Sequence, residues 1–231
     1  GTEGMTGLYV RGGGADENLY LLDGNPVYHV NHLLGFFSAF NPDAIKNTRF
    51  YKGSFPAEYG GRLSSVVDVR MNDGNRQEYH GNISVGLLSA RANLEGPIVK
   101  DRSSFNVSVR RTWLDLITGT ALAIINKNSD TKESFGYHFF DINAKVNHSF
   151  SERSRAYLSF YMGQDAFRQG SKEKHEDSDD MFLWRWGNLI GSAGWNYVFG
   201  QKLFGNLMVG YSRFRSHIRQ EAKGYEIEGN R

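Results

Sequence analysis

The chain has 231 residues, 39% hydrophobic, 14% aromatic and 23% charged, enough for one large domain or two small ones. Its formal net charge of +2, from 27 basic and 25 acidic residues, leaves no electrostatic footprint for nucleic acid. It has no cysteine, which excludes a disulfide framework, a thiolate nucleophile and Cys-based metal sites, and no apolar run reaches the roughly 18 residues of a transmembrane helix.

From Gly1 to about Arg76 the pattern is short and irregular. LYLLDGNPVY predicts a strand, a turn at Asp23-Gly24-Asn25-Pro26 and a second short strand. HLLGFFSAF is compact and apolar, and Asn41-Pro42-Asp43 then opens a short helical turn with Pro near the first helical position. NTRFYKG and SSVVDVRM predict two more strands, with Ser54 to Arg62 as a loop because it holds Pro56, Gly60 and Gly61. The sum is a small α+β unit.

From about Tyr79 the chain turns into long alternating strands. In FFDINAKVNHSF, Phe140, Ile142, Ala144, Val146 and Phe150 fall on one face and Asp141, Asn143, Lys145, Asn147 and Ser149 on the other. Ala156, Leu158, Phe160 and Met162 oppose Tyr157, Ser159, Tyr161 and Asp165 in the next segment. Phe105, Val107, Val109 and Trp113 oppose Asn106, Ser108, Arg110 and Thr112 in the one before. Short connections at VKDRSS, SERS and GQKL alternate with long polar ones at 119–135 and RQGSKEKHEDSDD, the pattern of turns and external loops. Seven strands follow, at about 79–87, 90–98, 103–117, 137–150, 154–168, 182–199 and 203–220.

A tilted transmembrane strand needs about 9 to 11 residues, whereas soluble strands run to about 5 or 6, so segments of this length favour the wall of a membrane barrel. Apolar side chains are then expected to meet lipid, and the Asn, Ser, Asp and Lys face a wet or plugged lumen. A spanning sheet must close, and seven strands do not close one, so the barrel is expected to continue beyond Arg231. The rival is a soluble β-sandwich carbohydrate-binding module whose aromatics stack on sugars; a weaker third reading is a secreted jelly-roll hydrolase.

Individual residues offer little chemistry. His29 and His32 stand three apart, a spacing that suits two ligands on a helical turn, but no carboxylate or Cys in the sequence pattern supports a metal, and packing or capping explains them better. RGGG at Arg11 to Gly14 lacks the phosphate-loop pattern. The carboxylates of KEKHEDSDD, Lys172 to Asp180, suit calcium less well than they suit a solvated loop. Trp113, Trp184, Trp186, Trp195, Tyr197 and Phe199 lie near strand ends, where interfacial girdles form. No catalytic constellation, metal site or cofactor site is read.

The segment RGGGADENLYLLDGNPVY followed by NPDAIKNTRFYKGSFPAEYGGRLSSVVDVRM resembles the second half of the plug domain of TonB-dependent outer-membrane receptors. The matching positions are Arg11-Gly12, Leu22-Asp23-Gly24, Ile45, Lys52-Gly53, Tyr59-Gly60 and Val66 to Met71, with Gly61 following the Tyr-Gly pair. HLLGFFSAFNPDAIK and AEYGGRLSSVVDVRMNDG look like the receptors of Bacteroidetes-type bacteria, with LEGPIVKD similar to the first periplasmic turn. Gly61-Arg62-Leu63 departs from the family, many of whose members carry a small-residue insertion there. The resemblance implies plug residues 1–76 and barrel strands over 77–231, with the earlier half of the plug, the TonB box and any leader lying outside the sequence. It implies a non-enzymatic outer-membrane transporter without a cofactor, whose partners are a TonB-type energy-coupling protein, outer-membrane lipid and an imported ligand of iron-siderophore, cobalamin or glycan class. Glu58 and Arg62 are implied to pair with barrel charges, and the ligand-binding residues are not read.

Overall fold

The structure is a computed structural model that describes residues 18–28, 31–32, 37–52, 65–173, 179–222 and 225–230. No helix in it is long and apolar enough to cross a membrane.

The first unit is a four-stranded sheet in the order β2-β1-β6-β5, built from β1 (Asn18–Leu22), β2 (Asn25–Pro26), β5 (Ile45–Lys52) and β6 (Ser65–Met71). Between β2 and β5 a two-residue pair, β3 (Asn31–His32) and β4 (Phe37–Ser38), stands apart. β1 runs parallel to β6, and β2 and β5 are antiparallel to their neighbours. Asp23 and Gly24 make the expected turn with φ of 46° and 81°, the left-handed region that Gly adopts without a Cβ penalty. The Asp23 carboxylate accepts from the Met71 N–H at 3.1 Å, which ties the turn to the end of β6. The turn at Pro42–Ala44 is a 3-10 helix with Pro early and the Asn41 side chain accepting from the Asp43 N–H.

The second unit is an antiparallel sheet of eight strands in sequential order: β7 (His80–Val85), β8 (Ser89–Val99), β9 (Ser103–Thr112), β10 (Thr131–Ser151), β11 (Ser154–Glu173), β12 (Asp179–Val198), β13 (Phe204–Ala222) and β14 (Tyr225–Asn230). The hairpin expected near residue 88 is present, closed by the Gly86 N–H on the Ser89 carbonyl at 2.8 Å.

Three expectations need correction. The third strand does not continue to 117: β9 stops at Thr112, and Leu114–Ile125 is an α-helix, α1, in place of a strand end and polar loop. LDLITGTALAII mixes the helix formers Leu and Ala with β-branched Ile and Thr, so propensity does not decide it, and Trp113 leaves the sheet with its indole donating to the Leu87 carbonyl at 2.8 Å. The departure leaves the upper edge of β10 without β9, and α1 packs alongside it, with Thr118 Oγ1 donating to the Phe135 carbonyl at 3.1 Å. Second, 168–180 is not one long loop, because β11 runs to Glu173 and β12 begins at Asp179. Cross-strand contacts such as Phe167 against Phe182, 6.0 Å between ring centroids, sustain the ladder through these polar residues. Third, the sheet does not end with the strand expected at 203–220: Tyr225–Asn230 pairs with β13, making eight strands where seven were expected.

Burial in the large sheet is inverted relative to a soluble sheet. Asp141, Asn143, Lys145 and Asn147 on β10 are buried, as are Asn106, Ser108 and Arg110 on β9 and Asn188 and Ser192 on β12. On the opposite face Val146, Phe160 and Tyr211 are exposed, with Leu158 at 63% and Val209 at 66%. A two-layered soluble body would press Ile142, Val146, Leu158 and Phe160 into its centre, so the β-sandwich rival does not describe this sheet. The polar face is covered by the small unit: Leu22, Val27, Val67, Val69 and Met71 form one apolar cluster with Tyr161 of β11 and Ile190 of β12.

Candidate functional site

With the small unit seated on the inner face of the wall, the chemistry of the molecule concentrates in the seam between them. Because side chains alternate along a strand, every second residue of β9 to β13 points into this seam. At its upper part, β3 delivers His32 to two carboxylates of the wall. His32 Nδ1 lies 2.5 Å from Asp165 Oδ1 on β11, and Nε2 lies 3.5 Å from Asp141 Oδ2 on β10. Arg110 of β9 holds Asp141 through Nε at 2.8 Å, and Tyr137 donates its hydroxyl to Asp165. The imidazole stacks on Phe139 at 4.1 Å between centroids and 1° between planes, and the Arg110 guanidinium sits 5.0 Å from the same ring.

His32 is 3% exposed and Asp141 is fully buried, so this is a low-dielectric cluster in which two cations balance two anions once His32 is protonated. Burial opposes the imidazolium, but hydrogen bonds and charge from Asp141 and Asp165 outweigh it and hold the His32 pKa above its ordinary 6.5.

Lower in the seam, Lys145 of β10 reaches the small unit. Its ammonium lies 3.5 Å from Asp23 and 3.1 Å from Asp73 and donates to the Met71 carbonyl at 3.2 Å. Burial pushes the Asp73 carboxyl up, yet Lys46 at 2.7 Å and Lys145 hold it below the ordinary carboxylate range. Asn147 Nδ2 and Ser104 Oγ donate to the Asp73 carbonyl at 2.6 and 2.7 Å. On the far side, Asn25 donates to Ser192, Ser212 Oγ donates to the Pro26 carbonyl at 2.6 Å, and Asn188 Nδ2 donates to the Tyr28 carbonyl at 2.5 Å. Gly210 makes the closest approach: a Cβ there would fall 1.5 Å from Asn25 Oδ1, so only glycine admits the β1–β2 turn to the wall.

Of the residues singled out from sequence, Asp23 and Gly24 sit in this seam. Lys52 ends β5, and Arg11, Gly12, Gly53, Glu58, Tyr59, Gly60, Gly61 and Arg62 lie outside the described residues, as do His29 and residues 174–178 of the acidic segment. His32 sits on a strand, not a helical turn, and its neighbours are carboxylates that pair with it. Among the described residues no group of three His, Asp or Glu side chains is arranged to hold a metal ion. The aromatic residues divide: Trp195, Tyr197 and Phe199 stack in sequence at 5.8 and 4.7 Å beside a short turn, with Trp195 and Phe199 exposed, as a girdle requires. Trp186 instead turns inward against Tyr137 and Phe139, with Trp184 at 4.2 Å from it, and Trp113 begins α1. Sequence reasoning missed the roles of Arg110, Asp141, Lys145 and Asp165, although their alternation had put each on the polar face.

A single sheet with its apolar side turned outward and a charged inner face packed on a small α+β unit defines the wall of a β-barrel with a plug. The family model for the TonB-dependent Receptor Plug Domain matches residues 1–67, so the first part of the chain is similar to that domain. No curated protein matches the sequence. Among solved structures, the siderophore receptor PirA from Acinetobacter baumannii is similar at 15% identity and a TM-score of 0.45, over 90% of this chain and 41% of that one. A mutant of the ferric enterobactin receptor PfeA from Pseudomonas aeruginosa is similar at 13% and 0.45, over 90% and 42%. PirA from Pseudomonas aeruginosa is similar at 16% and 0.42, over 99% and 48%. The chain therefore spans less than half the length of these solved chains.

Proposed function

We propose that this chain belongs to a bacterial outer-membrane receptor of Bacteroidetes type that binds an external ligand and imports it when a TonB-type protein drives rearrangement of the plug. Residues 1–76 act as plug and 77–231 as the first strands of the barrel. The motif residues Arg11, Gly12, Asp23, Gly24, Lys52, Gly53, Glu58, Tyr59, Gly60, Gly61 and Arg62 shape the plug and its gating. The ligand is an iron-siderophore, a cobalamin or a glycan, taken up without bond chemistry.

The observation that carries this reading is the inverted burial: exposed Leu158 and Val209 oppose buried Asp141 and Lys145 on the same strands. An exposed apolar face of this extent is costly in water and favourable in lipid, and an inner face that pairs its charges with a separate small unit is what a removable plug needs. Beside the apolar cluster that Tyr161 and Ile190 join, the seam is held by many hydrogen bonds and ion pairs of modest net strength, which suits an interface that must open.

This chain has no cysteine of its own, so an introduced pair gives a direct test. In the intact receptor, Asn25→Cys with Ser192→Cys ties plug to wall when oxidised. Labelled ferric siderophore, cyanocobalamin and a malto-oligosaccharide are offered in turn to cells expressing it. Uptake of one of them that stops on oxidation and returns on reduction is expected; uptake unaffected by the cross-link would overturn gating by this seam.

A further inference from the structure

Beyond His32, on the side away from the short turns, the inner face of the wall changes from charged to aromatic. Phe139, Asp165, Trp186 and Ser216 form one cross-strand row on that face, Tyr137, Phe167, Trp184 and Ile218 the next, and Phe135, Gln169, Phe182 and Gln220 the one after. Glu133, Ser171 and Asp180 follow. The cations of the same strands point the other way: His138, Arg185 and His217 share an outer row, and Arg168 and Arg219 share the next. Among the described residues no lysine or arginine stands on these inner rows, which present rings, amides and carboxylates to the lumen.

Phe135 is 44% exposed, and Phe167, Phe182 and Trp184 are half-buried, so a patch of rings stays open beside the buried Tyr137, Phe139 and Trp186. The rings are fixed in place: Phe167 stands edge-on to Phe135 at 5.5 Å and to Phe182 at 6.0 Å, and Trp184 Nε1 donates to Ser216 Oγ at 2.9 Å. Gln169 and Gln220 alternate with Phe135 and Phe182 across the strands, are exposed, and neither side-chain amide bonds to another described residue. Open aromatic surface with a few convergent polar groups marks a binding surface. Its chemistry selects the ligand. Ring faces, which carry the negative side of the quadrupole, accept the C–H face of a saccharide, and amides and carboxylates pair with its hydroxyls as donors and acceptors. An anionic chelate would find no cation on these rows and two carboxylates, Glu133 and Asp180, to repel it. Adjacent strands lie about 4.8 Å apart, so Phe135 and Phe182 stand about 10 Å apart with Gln169 between them, a spacing that two linked hexose rings cover.

We propose that this aromatic shelf is a docking site for an uncharged oligosaccharide: Phe135, Phe182 and Trp184 stack on its rings, and Gln169 and Gln220 hydrogen-bond to its hydroxyls. The site rests on the reading of the sheet as the wall of a plugged transporter barrel, and it narrows the ligand of that transporter to the glycan class. The shelf ends on Tyr137, Phe139 and Trp186, and Tyr137 bonds to Asp165 while Phe139 stacks on His32. A saccharide held there lies next to the contacts that seat the plug.

The test uses the intact receptor in detergent and titration calorimetry, with maltoheptaose, cellohexaose, laminarihexaose, xylohexaose and mannohexaose as neutral probes and ferric enterobactin as the anionic one. A neutral saccharide is expected to bind, Phe182→Ala with Trp184→Ala to weaken it about 100-fold, at about tenfold per ring, and Gln169→Ala with Gln220→Ala to weaken it about tenfold. Leu183→Ala with Arg185→Gln, on the outer face of the same strand, is the control and is expected to leave binding unchanged. Binding of none of the neutral probes, or ring and amide variants that bind like the unaltered receptor, overturns the site. Ferric enterobactin binding that the ring variants weaken overturns the ligand class. Should the ring pair fail to fold, the exposed amide pair still decides. Uptake by cells is scored separately: uptake that persists without a TonB-type protein sinks the transport reading itself, whereas TonB-dependent uptake of ferric enterobactin alone sinks only the saccharide shelf.

Discussion

His32 draws its role from where β3 places it, between carboxylates 109 and 133 residues further along the chain. Its raised pKa means that protonation and docking of the plug reinforce each other. The contribution is fully present below the ordinary value of 6.5 and is lost as pH rises through the raised folded-state value. Plug docking, followed by protease cleavage of the plug in the intact receptor, is therefore expected to loosen on moving from acid to alkaline conditions, and Asp165→Asn should flatten the dependence. Removing one partner of such a buried pair costs about 3–5 kcal/mol, so His32→Ala is expected to lower the denaturation midpoint of the plug markedly. Asp73 behaves in the opposite sense: its lowered pKa stabilises the fold above the ordinary 3.8, and that support drains as pH falls through the lower native value. Lys145→Met should reduce the acid-side loss, with Lys46 still pairing Asp73, while leaving the alkaline one, as read by the same cleavage assay. Gly210→Ala drives a methyl into Asn25 and should cost about 1–3 kcal/mol by overpacking, checked by whether Asn25→Gly restores the midpoint.

Alternation along an element decides what a substitution meets. Val146→Arg or Leu158→Arg puts a charge on the outward row and is expected to cost about 2–4 kcal/mol near the membrane midplane, measured by reversible unfolding in liposomes. Asn196→Arg, on an exposed part of the inner face beyond Ser192, should be nearly neutral in the same measurement. Equal losses at the two positions would refute the facing. Asn147 would be a poor inner control, although its neighbour in sequence is Val146: it is 1% exposed and bonded to the Asp73 carbonyl, so a larger side chain would displace the plug. The same scale explains why the strands outrun their expected ends. A polar stretch such as RQGSKE reads as a loop by composition, yet β11 continues through it because β10 and β12 on either side supply backbone partners to Glu173 and from Asp179.

At the scale of the whole molecule, the period of two, the central stretches of seven strands and the polarity of each face were determined by sequence alone, since side-chain alternation is a property of the extended chain. So was the turn at Asp23-Gly24, whose backbone angles few other residues tolerate. The α-helix Leu114–Ile125 was not, because a strand and a helix compete closely for an apolar run of this length, and the bare edge of β10 settled the contest. Nor was the eighth strand, since the short, charged YEIEGN extends only by pairing with β13. What only the tertiary structure decided is the pairing across the seam. Arg110, Asp141, Lys145 and Asp165 are unremarkable polar positions until the plug brings His32, Asp23 and Asp73 within hydrogen-bonding or ion-pair reach, and that proximity depends on chain closure over 100 residues and more, which no local pattern encodes.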